Sequence, residues 1–177
     1  VRAQNCSNAA LAWMQAHNIR WRFTERKVYS REFKYAGTMD GLALVDSCND
    51  PKCCKQQFKD HLAVIDWKSS NYLYVEYVLQ TAAYRQAYQE ETGEQIEDIF
   101  IVRLGKEDGE FEAWHIDSSL AEHGWDAFLK ALGLSRAMVV LNQSVDDAKD
   151  ERKAIRKAEK QAEKKAQLTV KCSYADK

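Results

Sequence analysis

Apolar positions along the chain change period several times, and those changes lay out its elements. Ala10, Leu11, Met14 and His17 recur at helical spacing, which predicts a short helix over residues 8–17, with Ser7 or Asn8 as its cap and Asn18 as its end. Residues 22–30 set Phe23, Val28 and Tyr29 among charges, as an exposed or edge strand does. Residues 34–45 predict a longer strand, and its Leu42-Ala-Leu-Val45 end is apolar on both parities, so both faces should be covered. Residues 46–60, holding the single proline, read as a loop. Leu62-Ala-Val-Ile-Asp-Trp-Lys68 is a second buried strand that turns charged only at its C-terminal end.

A helix over 75–91 follows, with Val78, Leu79, Ala82, Ala83 and Ala87 as its packing stripe and Gly93 as its stop. Strands over 96–104 and 110–116 flank a Gly-Lys-Glu-Asp-Gly loop. From Ser119 the pattern is helical again through Leu120, Trp125, Phe128, Leu129 and Leu132, with Gly124 an awkward residue in the first turn. Residues 146–166 lack an apolar face; their acids lead and their bases trail, which suits a helix dipole. The expected architecture is a mixed α/β domain over 1–145 and a charged helical or partly disordered tail over 146–177.

Composition narrows the class. At 177 residues the chain can bury one core, and 45% hydrophobic with 30% charged residues is ordinary for a globular protein. No apolar run reaches the ~20 residues that span a bilayer. The opening Val1-Arg-Ala-Gln-Asn shows no signal-peptide pattern and no initiator Met, so a fragment, a processed form or a trimmed chain is expected. The five cysteines then read as free thiols in a reducing compartment, intracellular rather than secreted. Adjacent Cys53 and Cys54, near Cys48, are poorly spaced for tetrahedral zinc and read as a thiol-rich hairpin tip. With a net charge of −1, any nucleic-acid contact must use local positive charge.

Candidate chemistry gathers at the strand ends. Asp66 and Lys68 are two apart in a strand and project together, while Trp67 projects into packing on the other side. If the strand carrying Asp40 pairs with theirs, a second carboxylate reaches the same point and forms a hard oxygen site suited to Mg²⁺ or Mn²⁺, with the Trp67 backbone carbonyl as a further ligand. Gly37, just ahead of Asp40, permits close backbone approach. Gln80 and Tyr84 are i,i+4 neighbours on the following helix; they can bond phosphate oxygens or stack on a base, and Gln80 can instead hold Lys68. Each signal alone is common at surfaces. Gly-x-x-Asp, Asp-x-Lys and Gln-x-x-x-Tyr in this order on successive elements are not.

Over roughly Glu25 to Leu104 these motifs resemble the RecB-like branch of the PD-(D/E)xK nuclease superfamily. The matching segments are Glu25-Arg-Lys-Val-Tyr-Ser30, Tyr35-Ala-Gly-Thr-Met-Asp-Gly41, Val64-Ile-Asp-Trp-Lys-Ser-Ser70 and Leu79-Gln-Thr-Ala-Ala-Tyr84. The nearest flavour is that of phage-type exonucleases and the mitochondrial genome-maintenance exonuclease. The resemblance implies a restriction-endonuclease-like core, a central mixed sheet flanked by helices, and Mg²⁺- or Mn²⁺-dependent cleavage of DNA in recombination, replication or repair. It makes Asp40 and Asp66 metal ligands, Lys68 the catalytic lysine, Gln80 and Tyr84 the pair that supports it and contacts DNA, and Glu25 an accessory acid or a salt-bridge partner.

Two departures stand out. Many members carry a metal-binding His on an upstream helix; His17 is the only upstream candidate, and its place just before the Glu25 strand does not match. The four-cysteine pattern of CRISPR-associated relatives is absent, so no iron–sulphur cluster is expected. The alternatives are an inactive DNA-binding module and an interaction protein whose C-terminal helix recruits a recombination or replication partner. A bacterial or phage-infected cytoplasm, or an organelle matrix, fits each of them.

Overall fold

The computed structural model describes residues 1–46 and 59–175. The expected hairpin tip with Cys48, Cys53 and Cys54 lies outside them. The elements run α1 (Arg2–Ala16), β1 (Arg20–Ser30), β2 (Tyr35–Val45), β3 (His61–Lys68), α2 (Glu76–Thr92), β4 (Asp98–Leu104), β5 (Phe111–Ile116) and α3 (Ser118–Ala175). The fold is α/β, as expected: a mixed five-stranded sheet flanked by helices, followed by a C-terminal helix. Strands lie in chain order, all neighbours antiparallel except β3 and β4, which run parallel through the α2 crossover. The contacts divide the chain into two compact units, Val1–Lys130 and Ala131–Lys177; the expected boundary lay near residue 145. α3 opens in the first unit and makes up the described part of the second.

Alternation along β3 sorts the core into two layers. Leu62 and Val64 pack with Ile99, Ile101, Val78 and Ala87 on the α2 side, while Ala63 and Ile65 pack with Phe100, Val102 and Trp13 on the α1 side. Near the middle of β2 this alternation changes phase. Met39 and Leu42, which a regular strand would send to opposite faces, both join the α2-side layer. Gly41 faces the other way, where a Cβ would sit 2.3 Å from Trp21 Cζ3. Opposite this point, Glu25 of β1 is left-handed at φ 52°, and the β1–β2 register slips between Trp21 and Phe23.

α1 begins about two turns earlier than the apolar spacing indicates. Its first turns are held by polar contacts that no periodicity reveals: Asn5 Nδ2 donates to the carbonyls of Lys106 (2.9 Å) and Glu107 (3.0 Å), and Arg2 pairs with Glu107 at 2.8 Å. β4 begins later than expected. The backbone of Ile96 is taken by α2, accepting from Arg85 Nε at 2.9 Å and donating to Gln89 Oε1 at 2.9 Å, so it is not free to join the ladder.

Gly124 does not interrupt α3. A Cβ there would meet Val78 Cγ1 at 2.9 Å and the Val78 carbonyl at 3.1 Å, so the glycine lets α3 cross α2 closely. On the outer edge of β1, the carboxylates of Glu90 and Glu91 accept backbone N–H groups: Arg31 (2.8 Å) and Glu32 (3.1 Å) donate to Glu90, and Tyr29 (2.8 Å) donates to Glu91. No helix among the described residues is long and apolar enough to cross a membrane.

Candidate active site

β3 carries Asp66 and Lys68 to the C-terminal end of its parallel pairing with β4, the end at which open α/β sheets bind ligands. Asp66 is 1% exposed, in the layer facing α2. The last antiparallel pair between β2 and β3 is Gly41–Ile65, so Asp40 stands opposite Asp66 one step beyond the ladder. There a side chain replaces the backbone partner: the Trp67 N–H donates to Asp40 Oδ2 at 2.9 Å. In a strand the N–H and C=O of one residue leave from the same edge. The Trp67 carbonyl therefore points toward the same corner as Asp40. The Trp67 ring packs on the other face, edge-on to Trp13 at 5.5 Å.

Lys68 is the hub. Its Nζ lies 2.6 Å from Asp66 Oδ2, donates to Gln80 Oε1 at 3.0 Å, and sits 4.6 Å from the centre of the Tyr77 ring. Because an ammonium only donates, Gln80 must turn its oxygen to Lys68. Its Nε2 then donates to the Tyr84 hydroxyl at 2.7 Å. Tyr84 in turn lies over Gly37, where a Cβ would fall 2.3 Å from Tyr84 Cε1. Gly37, Tyr84, Gln80, Lys68 and Asp66 thus form one chain of contacts from β2 across α2 to β3.

Electrostatics set Asp66 apart. Burial pushes its carboxyl up to about 6; the Lys68 ammonium pulls it partly back, and the Asp40 carboxylate pushes it further up. Its Oδ2 is buried, with the Lys68 ammonium against it at 2.6 Å. Two carboxylates brought together with one ammonium between their charges are a pair that a divalent cation can complete. Among the described residues no group of three or more His, Cys, Asp and Glu is placed to hold a metal. The groups that could hold a cation here are two carboxylates and a backbone carbonyl, and of the divalent cations Mg²⁺ is one that keeps several waters and takes few protein ligands.

Two other candidates stand elsewhere. Glu25 is exposed on β1 and has no ion pair among the described residues. His17 is fully buried and caps the end of α1; its Nδ1 is 2.8 Å from the Trp13 carbonyl, and its ring stacks on Trp13 at 4.6 Å. Trp13 belongs to the α1-side layer, across the sheet from Asp66, so His17 is a packing residue. At the far end of the strands the structure adds a cluster that motif reading missed. Asp98 accepts from His61 Nδ1 at 2.7 Å and from His115 Nε2 at 2.6 Å. Burial alone would raise the Asp98 carboxyl, but the His115 and His61 bonds outweigh it and hold the group below its ordinary value.

No protein-family model matches the chain, and no curated protein matches it significantly. Among solved structures, a crystal structure of a "Putative exonuclease" from Eubacterium rectale is similar over 78% of this chain and 51% of that one, with 14% identity and a TM-score of 0.49. The chain spans about half the length of that protein. What the site can do follows from its own residues.

Proposed function

We propose that this chain is a Mg²⁺- or Mn²⁺-dependent deoxyribonuclease, an exonuclease of the RecB-like PD-(D/E)xK kind acting in recombination, replication or repair inside a cell. The observation that carries this reading is the convergence of Asp40, Asp66 and Lys68 at one strand end, with Lys68 held by Gln80 and Gln80 by Tyr84. Asp40, Asp66 and the Trp67 carbonyl would hold the cation, which when bound polarises a phosphodiester and offsets the charge that builds up in its hydrolysis.

The chain's own groups supply the rest. Gln80 takes one N–H of Lys68 in a directed bond, and the ammonium keeps others for an attacking water or a non-bridging phosphate oxygen. Tyr84 fixes the rotamer of Gln80, which lowers the cost of orienting Lys68. The buried Asp66 holds the ammonium in place at 2.6 Å.

The test is cleavage of end-labelled single- and double-stranded DNA with Mg²⁺ or Mn²⁺, with circular DNA to separate end-dependent from internal cutting. Loss of activity in Asp66→Asn and Lys68→Ala is expected. Unchanged cleavage by either variant would remove the site from the reaction.

One observation favours a second reading, a DNA-binding module without turnover: no third acidic, His or Cys ligand joins Asp40 and Asp66 among the described residues. It predicts salt-dependent DNA binding with no metal-dependent product. A recruiting role for α3 draws on its exposed Leu134, Met138, Leu141 and Val145, which repeat at four- and three-residue steps. Truncation before Asp146, the expected start of the tail, tests whether a partner is lost while cleavage persists.

A further inference from the structure

Just past Lys68, a polar cleft of about 200 Å³ opens beyond the C-terminal ends of β3 and β4, lined among others by Ser69, Ser70, Asn71, Arg103 and Lys106. Its main cation is a register neighbour of the site. Lys68 pairs with Arg103 across the parallel β3–β4 ladder, so the two side chains leave the same face of the sheet on strands about 5 Å apart. Arg103 is largely buried, with its side chain 19% exposed, which is expensive for a guanidinium unless it has acceptors. Glu112 of β5 meets only its Nε, at 2.9 Å, and among the described residues Nη1 and Nη2 have no acceptor. Such a half-engaged guanidinium is preorganised to grip two oxygens of one phosphate.

The two acids of the cleft each have a partner of their own. Glu107 pairs with Arg2 at 2.8 Å, and Asp108 Oδ1 accepts the Glu110 N–H at 3.0 Å, closing the hairpin. Among the described residues Lys106 forms no ion pair and the Ser69 hydroxyl, one residue beyond Lys68, makes no hydrogen bond.

We propose that this cleft binds a backbone phosphate of the nucleic-acid strand next to the one being cleaved, with Arg103 as the positioning residue and Lys106 and Ser69 in support. The inference rests on the nuclease reading for its substrate, but the phosphate subsite can be measured without turnover. It gives the site a second grip on the strand, which fixes register and carries no base information.

The experiment is fluorescence anisotropy of a labelled oligonucleotide with the full chain in EDTA, over a salt series. Arg103→Gln is expected to weaken binding about tenfold and to flatten the slope of log K against log salt by about one counterion. Arg103→Lys, which keeps the charge but loses the fork, should fall between it and the parent. Glu112→Gln breaks the same ion pair while sparing the guanidinium, and should leave affinity unchanged or tighter. Equal losses in Arg103→Gln and Glu112→Gln would reduce Arg103 to a structural partner of Glu112 and overturn the proposal. So would an Arg103→Gln protein that binds like the parent, or a parent that binds no DNA. If Arg103→Gln weakens binding while the parent cuts nothing with Mg²⁺ or Mn²⁺, the subsite stands and the nuclease reading falls.

Discussion

Two buried aspartates stand at opposite ends of the β3–β4 pair, and their surroundings differ in one respect. Asp98 is 6% exposed and accepts an N–H from each of two imidazoles; Asp66 is 1% exposed, with one ammonium against it and the Asp40 carboxylate acting on it from the neighbouring strand. Burial acts to raise both carboxyls, yet Asp98 ends below its ordinary value and Asp66 at about 6. Burial alone does not set the two apart; the number and sign of their charged neighbours do. Asp98 ties β3, β4 and β5 together, whereas Asp66 is held in an unfavourable state that a cation or a proton can relieve.

Substitution separates the two most sharply. Asp66→Asn should lower cleavage by at least about 100-fold, while Asp98→Asn should keep cleavage close to the parent in the same assay. Thermal melts at pH 7.5 should put the larger loss on Asp98. Asp66→Asn relieves an ionisation that opposes folding but leaves the largely buried Lys68 ammonium without its carboxylate, so its melt should stay near the parent's. Asp98→Asn leaves two half-paired imidazoles and should cost roughly 1–3 kcal/mol.

Acid brings out the same contrast. The folded carboxyl of Asp66 lies above its ordinary value of 3.8, so folding takes up a proton in between; its contribution to stability falls as pH rises through that window, up to about 6. Asp98 lies below its ordinary value, so its contribution is full above that value and fades as pH drops through its folded pKa. The Mg²⁺ concentration needed for half-maximal cleavage should rise below about pH 6, because there the cation competes with a proton for Asp66, and Asp66→Asn should lose this arm of the melting-temperature profile. A metal requirement that is the same at pH 5 and pH 7.5 would contradict the assignment.

The two glycines of β2 give a smaller contrast across the faces of the sheet. Gly37→Ala drives a methyl into the Tyr84 ring and should disturb Gln80 and Lys68, lowering kcat about tenfold. Gly41→Ala meets Trp21 on the opposite face; it should cost about 1–3 kcal/mol of stability in a denaturant titration and leave kcat nearly intact. Smallest of all, Tyr84→Phe removes one hydrogen bond at the end of the chain of contacts and should reduce kcat only a few-fold.

The parts of the molecule that could be read beforehand were those governed by local period. Alternation in Asp66-Trp67-Lys68 puts the acid and the base on one face, and four-residue spacing puts Gln80 above Tyr84; both relations hold within a single element. The rest needed partners far along the chain. Gly37 owes its lack of a side chain to Tyr84, Gly124 owes its own to Val78, and Arg103 becomes a neighbour of Lys68 only once β3 and β4 are paired. The Asp98 cluster draws on three strands, and the opening turns of α1 are held by amide and guanidinium contacts that leave no apolar trace. Hydrophobic period reports burial, and these features are polar or steric.

The acids at the end of α2 have a consequence beyond local bonding. β1 is a border strand of eleven residues, the sort of surface onto which a foreign chain can add itself as a sixth strand and seed fibrils. Glu90 and Glu91 occupy outward amides of its last residues and of the turn beyond, so those N–H groups are not on offer to an incoming strand. Neutralising both should leave the folded molecule recognisable and make concentrated solutions of it prone to clump.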